Sequence, residues 1–232
     1  INFKELIIIR PLISTALKMI KPHQVISLGG GSNVAQLTQA IAAAKLPLQL
    51  CSPSNDTRQL GAKLKLQIAA RPPETTIDLA FDGCDSLNQQ LQALKSRGGI
   101  HTLEKIFAAQ AKRYCILAPR SRMKTQLDPA LPLTLEVIPL ASNQVINWIS
   151  QFNNYQPQLR KTATGTPQLT INGNQLIDCY ATNDWQHITE FNQKISQFNG
   201  VVGTSYFENL VTEALLFDPD EKVHYLRKDE LK

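Results

Sequence analysis

The chain has 232 residues, 43% of them hydrophobic and 19% charged, with a formal net charge of +5. That is the balance of an ordinary globular protein able to bury a core, with room for one large domain or a domain plus a small one. No apolar run reaches membrane-spanning length, and Leu6 to Ile9 is too short, and too soon followed by Arg10 and Pro11, for a span or a signal peptide.

The first predicted element is a short strand, Val25 to Leu28, which runs into Gly29-Gly30-Gly31-Ser32-Asn33. A helix follows, with Val34, Leu37, Ile41 and Ala44 on one face. Leu48 to Cys51 reads as a second strand, Gln59 to Ala69 as a helix, and Thr76 to Phe81 as a third strand ending at Asp82. Leu103, Ile106, Phe107 and Ala111 make one face of a helix carrying Glu104, and Tyr114 to Leu117 is a further strand. This alternation predicts an α/β fold, a Rossmann-like parallel sheet with helices on both faces. Ligands of such sheets bind beyond the carboxyl ends of the strands. Gly29 to Asn33 and Asp82 to Asp85 both follow strands directly, so they should share one rim.

From Pro132 the texture changes. Leu135 to Ile138 is strand-like, Ser142 to Phe152 helix-like, and Leu169 to Asp178 carries an Asn172-Gly173 hairpin signal. Trp185 to Phe198 reads as a helix, and Gly200 to Thr204 leads into a strand. This is a smaller α+β, ferredoxin-like module at 131–204, inserted in a Rossmann-like catalytic domain made of 1–130 and 205–232. Tyr206 to Arg227 is expected to supply strands that rejoin the main sheet. Lys228 to Leu231 looks like an endoplasmic-reticulum retrieval tag, but Lys232 follows it and the reading is discounted.

The four cysteines (Cys51, Cys84, Cys115, Cys179) are scattered, with no CxxC pair and no accompanying histidines, which argues against a structural zinc site. Three lie at or just after apolar runs, where buried free thiols are common, so a reducing cytoplasm is expected. Cys84 lies between Asp82 and Asp85, where a small space-filling residue is a better reading than a nucleophile. Between Lys95 and Lys124 stand eight basic residues and one acid, Glu104. No aromatic residues interleave with these charges and no nucleic-acid motif appears, so a basic pocket for a small anion fits better than nucleic acid. Lys112 and Arg113 read as a solvated helix face.

Residues 82 to 105 read DGCDSLNQQLQALKSRGGIHTLEK. Two aspartates three apart, a lysine before a glycine pair and a glutamate at a helix start are the parts needed to move a proton on a small polar substrate. The upstream turn, Gly29 to Asn33, has small residues whose backbone N–H groups can approach an anion at a helix N-terminus. A dinucleotide reading is weaker, because Val34 takes the place of the third glycine of G-x-G-x-x-G and no acid sits about twenty residues on.

Together these features resemble ribose-5-phosphate isomerase, type A, nearly end to end. The resemblance rests on GGGSN after the first strand, DGCD, KSRGG, the Glu104-Lys105 helix opening, Glu136 to Pro139 (EVIP), and the N-G-N hairpin with Asp178 after it. It implies interconversion of an aldose phosphate and a ketose phosphate through an enediolate, in the non-oxidative pentose phosphate pathway, with no cofactor and no metal. It implies Glu104 as the base, Asp82 as the group moving protons between sugar oxygens, Lys95 as the cation beside the enediolate, and Asp85 as the residue orienting sugar hydroxyls. A first-turn position favours the ionised form of Glu104, and neighbours must tune its working pKa. The phosphate would be held at Gly30, Gly31, Ser32 and Asn33 with Arg122, and Gly83, Cys84, Ser96, Arg97 and Gly98 would complete the substrate site.

The chain departs from the family in several places. The family's turn usually has hydroxyl residues where Gly30 and Asn33 stand, its glycine run after the lysine is interrupted by Ser96 and Arg97, and its glutamate after D-G-x-D is Ser86. Its later S-K pair is Ser121-Arg122, and the basic residue of its first helix falls nearest Ile9, with Arg10 beside it. The acids persist while the phosphate grip is remodelled. Alternatives are an isomerase of another sugar phosphate, a non-catalytic sugar-phosphate sensor, and, with no feature favouring it, a CoA-transferase-like activity. A homodimer or homotetramer without nucleic-acid or membrane partners is expected.

Overall fold

The structure, a computed structural model, describes residues 10–231. The apolar stretch Leu6 to Ile9 and Lys232 lie outside the described residues. The chain opens with α1 (Pro11–Lys18), whose proline at the first helical position suits a helix start. Then come β1 (Val25–Leu28), α2 (Ser32–Ala44), β2 (Gln49–Cys51), α3 (Asn55–Lys63), β3 (Ile68–Ala69) and β4 (Leu79–Asp82). Two short strands follow, β5 (Ser86–Asn88) and β6 (Ala93–Leu94), then α4 (His101–Gln110), β7 (Tyr114–Pro119) and β8 (Met123–Lys124). The next elements are β9 (Leu133–Val137), α5 (Ser142–Ile149), β10 (Tyr155–Leu159), β11 (Gln175–Ala181), α6 (Ile188–Ser196) and β12 (Val201–Thr204). The chain closes with β13 (Tyr206–Phe207), β14 (Glu213–Phe217) and β15 (Val223–Arg227).

The largest sheet has the order β15-β14-β7-β4-β1-β2-β3. All neighbours run parallel except β14 and β15, which form an antiparallel hairpin at one edge. Starting at β1, the parallel strands are laid down outward in one direction, then, from β4, in the other. That is the doubly wound Rossmann-like order, and its direction reverses between β1 and β4, where such sheets open a crevice. One face of the sheet packs on α1 and α2 through Leu12, Ile13, Val34, Leu37 and Ile41, and the other on Phe107, Ala108 and Phe207. Strands covered on both faces are apolar throughout, as in Tyr114–Pro119.

The second sheet, β10-β11-β9-β12, is wholly antiparallel. Its strand and helix sequence, β9-α5-β10-β11-α6-β12, with this spatial order, is the ferredoxin-like split arrangement. Its core is Leu133, Leu135, Val137, Val145, Ile149, Ile177, Phe191 and Ile195.

Several elements differ from the sequence expectation, among them β10, which the pattern does not predict, and the Leu169 arm of the expected hairpin, which makes a single bridge to Gln175 rather than a strand. The helix expected over Gln59 to Ala69 begins at Asn55 and stops at Lys63, because Ser54 caps it by accepting from the Thr57 N–H, and Ile68–Ala69 is a strand on the sheet edge. A third sheet, β13-β6-β5-β8, is built from strands of two or three residues too short to read as periodic. The final segment therefore divides: β13 joins this small sheet, while β14 and β15 join the large one.

Candidate active site

The carboxyl ends of β1, β2, β4, β7 and β14 open on one cavity of about 530 Å³. Gly30 to Asn33 follow β1 into it, Ser54 to Asp56 follow β2, and Asp82 to Asp85 follow β4. Pro119 and Arg122 come from the end of β7 and the turn beyond it, and Phe217 from the end of β14. Lys95, Arg97 and Gly98 reach it from the segment after β6, and Glu104 from the first turn of α4. Both turns expected on one rim are there, flanking the point where strand order reverses.

Lys95 sits between two carboxyl groups. Its Nζ lies 3.0 Å from Asp82 Oδ1 and 3.3 Å from Glu104 Oε1, and it donates to the Gly83 carbonyl. All three side chains are under a tenth exposed. Burial works against the charged lysine, but Asp82 and Glu104 outweigh it and hold the Lys95 pKa above its usual range. Glu104 is shifted the other way: burial, then the nearby Asp82 charge, push its carboxyl up to about 8, with Lys95 opposing. The first-turn position of Glu104 would favour the ionised form, and desolvation outweighs it. A carboxyl poised near neutrality beside a fixed cation is suited to taking and returning a proton.

Asp82 is held by four donors. Tyr114 donates its hydroxyl to Oδ2 at 2.9 Å, while Lys95 and the backbone N–H groups of Gly83 (2.8 Å) and Gly30 (3.3 Å) meet Oδ1. Gly29 makes this approach possible, since a Cβ there would lie 2.1 Å from Asp82 Cγ. Gly31, at φ +92°, turns the chain into α2 in the left-handed region that glycine tolerates. Behind the turn, Thr57 donates to the Gly29 carbonyl at 2.6 Å and Ser52 to the Leu28 carbonyl at 2.5 Å, fixing the loop from beneath.

Asp85 Oδ2 accepts the backbone N–H groups of Ser96 (2.7 Å) and Arg97 (3.0 Å). The Arg97 side chain is 71% exposed, with Nε 3.8 Å from Asp85 Oδ1, so it stands beside the acid. Arg122 donates to the Cys84 carbonyl. Cys84 is a buried free thiol whose pKa burial pushes up to about 12, as suits a space-filling residue. Ser96 alone among the expected residues does not line the cavity: it is buried, its hydroxyl donating to the Pro132 carbonyl and meeting Ser205 at 3.1 Å.

Sequence reasoning missed several neighbours. Arg10, just before α1, lines the cavity with its guanidinium 4.5 Å from the Phe217 ring centroid, paired to Glu221 at 2.9 Å and 3.4 Å from Asn33 Oδ1. Ser54 to Asp56 were hidden by the misplaced start of α3, which Ser54-Asn55-Asp56-Thr57 could have signalled as a cap. Tyr114 reads only as the start of an apolar strand. Among the described residues, no cluster of three or more His, Cys, Asp or Glu could hold a metal ion, and no helix is long and apolar enough to cross a membrane.

The family model described as Ribose 5-phosphate isomerase A (phosphoriboisomerase A) matches residues 49–221. Ribose-5-phosphate isomerase A of Methanococcus maripaludis (strain C6 / ATCC BAA-1332) is 30% identical over 220 residues, covering 92% of this chain and 90% of the relative. The solved ribose 5-phosphate isomerase A of Methanocaldococcus jannaschii superimposes with a TM-score of 0.84 at 28% identity, over 94% of this chain and 97% of the other. A D-ribose-5-phosphate isomerase solved in complex with phospho-erythronic acid gives a TM-score of 0.86 at 25% identity, over 94% and 96%. With a family model matching residues 49–221 and a relative and a solved structure each covering more than nine tenths of it, the chain belongs to the ribose 5-phosphate isomerase A family.

Proposed function

We propose that the chain is an aldose–ketose isomerase that interconverts ribose 5-phosphate and ribulose 5-phosphate through an enediolate. Family membership supports the substrate, and one observation carries the chemistry: Lys95 Nζ lies within 3.3 Å of both Asp82 and Glu104 in a single cavity at the sheet's switch point.

In this reading Glu104 takes the proton from C2 of the aldose and returns it to C1. The hydroxyl proton on O2 passes to O1, and Asp82 is the carrier between the two oxygens. Negative charge that develops on the oxygens is met by Lys95, whose position is set before substrate arrives. Asp85 orients the remaining hydroxyls. Gly83, Cys84, Arg97 and Gly98 shape the wall, and Ser96 stands behind it, its N–H donating to Asp85.

The phosphate falls at Gly30 to Asn33. The N–H groups of Ser32, Asn33 and Val34 open α2, which has no side-chain cap, so they lack intrahelical partners. The Gly30 N–H is engaged with Asp82, so Ser32 and Asn33 carry more of the grip than Gly30. Arg122, Arg97 and Arg10 are the arginines that line the cavity, and Arg10 supplies the charge that Ile9 does not.

The division into a catalytic unit (1–130 with 205–232) and a module (131–204) is supported by the ferredoxin-like sheet falling wholly within 133–204. A homodimer or homotetramer is supported by Ile138, Leu140 and Val202, exposed neighbours on β12 and the turn after β9. A reducing cytoplasm is supported by four buried free thiols. Light scattering showing a monomer would contradict the assembly.

The purified chain should convert ribose 5-phosphate to ribulose 5-phosphate catalytically. Saturable binding of ribose 5-phosphate without conversion would replace the enzyme with a sensor.

A further inference from the structure

Asp178, singled out by its place after the hairpin, takes no part in the chemistry above. It lies on β11 and pairs with Arg160, Nε to Oδ2 at 2.8 Å and Nη2 to Oδ1 at 2.5 Å. Thr134 on β9 donates to the same Asp178 Oδ1 at 2.7 Å. Arg160 and Asp178 side chains are 14% and 12% exposed, so the fork is largely fixed by the small module. Arg160 Nη2 also meets Thr134 Oγ1 at 2.9 Å inside the module, and two contacts leave it: Nη2 reaches the Ser96 carbonyl at 2.8 Å and Nη1 the Arg97 carbonyl at 3.2 Å.

The Ser96 carbonyl and the Arg97 N–H belong to one peptide group. That group is planar and trans, so its oxygen and hydrogen point in opposite directions. Arg160 holds the oxygen, and Asp85 accepts the hydrogen at 3.0 Å. A cation on the carbonyl also polarises the peptide and strengthens its N–H as a donor.

We propose that Arg160, oriented by Asp178, is a positioning residue that sets Asp85 in the cavity through the Ser96–Arg97 peptide. The small module thereby acts on the sugar end of the site without touching substrate. This rests on the reading of Asp85 as the residue that orients sugar hydroxyls. The phosphate turn, Gly30 to Asn33, hangs from β1 of the large sheet, and among the described residues it makes no hydrogen bond to Arg160, Asp178 or Asp85.

A double-mutant cycle tests it, with Arg160→Lys, Asp85→Asn and the pair. Lysine keeps the charge but cannot span a carboxylate and two carbonyls at once. Arg160→Lys should cut kcat by roughly ten- to a hundredfold, the cost of a small misplacement. The inhibition constant of inorganic phosphate should stay within about twofold, and Arg160→Lys should add less than about twofold in the Asp85→Asn background. Asp178→Asn, which keeps shape and loosens the fork, should reproduce the loss and serves if Arg160→Lys does not fold. Additive losses in the cycle, or parallel loss of phosphate binding, would overturn the proposal. An Asp85→Asn enzyme with unchanged kcat would instead overturn the role of Asp85, and the path through it as well.

Discussion

Tyr114 donates its hydroxyl to Asp82 Oδ2 at 2.9 Å, on the oxygen opposite the one that Lys95 approaches. The phenol is completely buried at the start of a central strand, and burial with the Asp82 charge raises its pKa well above the usual value. It is therefore a fixed donor that leaves Oδ1 to face Lys95. Tyr114→Phe removes one hydrogen bond to a charged group, worth about 1.5–3 kcal/mol. Turnover should fall by about ten- to a hundredfold with a smaller change in KM, as steady-state kinetics would show. Full activity in Tyr114→Phe would remove it from the site.

The pH dependence follows from Glu104. A base must be ionised, and its pKa of about 8 means that kcat/KM should fall on the acid side of that value, about tenfold per unit. The stability consequence has a definite sign. Glu104's pKa is raised from 4.5 to about 8, so the folded state holds a proton that the unfolded state releases in that window. Its contribution is present below 4.5 and is lost as pH rises through about 8. The melting temperature of Glu104→Gln minus that of wild type should therefore grow from pH 5 to pH 8. A difference that stays flat would contradict the raised pKa.

Gly29→Ala should damage the site from behind. Its Cβ would lie 2.1 Å from Asp82 Cγ, so the carboxylate must move. Overpacking of this kind costs about 1–3 kcal/mol, and displaced catalytic geometry should cut turnover by roughly tenfold or more. Wild-type turnover would mean that Asp82 can shift freely.

Arg122→Ala should raise KM for ribose 5-phosphate about tenfold or more, if one charge-assisted bond worth roughly 1.5–3 kcal/mol is lost. Slow conversion of unphosphorylated ribose should be nearly unaffected. Equal losses on both substrates would place Arg122 in support of the fold, through its bond to the Cys84 carbonyl.

The strands β1 and β4 were legible because each is a short apolar run, one closed by Gly29 and the other by Asp82, whereas β3, two residues long at the sheet edge, reads as the end of a helix. The helix that carries Glu104 shows where such reading fails. Its apolar residues suggest a face of Leu103, Ile106, Phe107 and Ala111, yet Ile106 is half exposed and the buried face is His101, Glu104, Phe107 and Ala108. A glutamate turned inward breaks the apolar pattern, and buried Lys95, nine residues upstream, meets it. Tyr114 and Arg160 were illegible for a related reason. Each acts on a residue far away in sequence, and nothing local distinguishes it from a strand or surface side chain.

In the proposed reaction Glu104 carries the proton between C2 and C1. Turnover of ribose 5-phosphate by Glu104→Gln, measured beside wild type, tests it most directly. The amide keeps the shape of the side chain but cannot act as the base. Turnover should fall by roughly two to four orders of magnitude, the usual worth of a positioned general base, while substrate binding changes little. Unchanged turnover would remove Glu104 from the role of base.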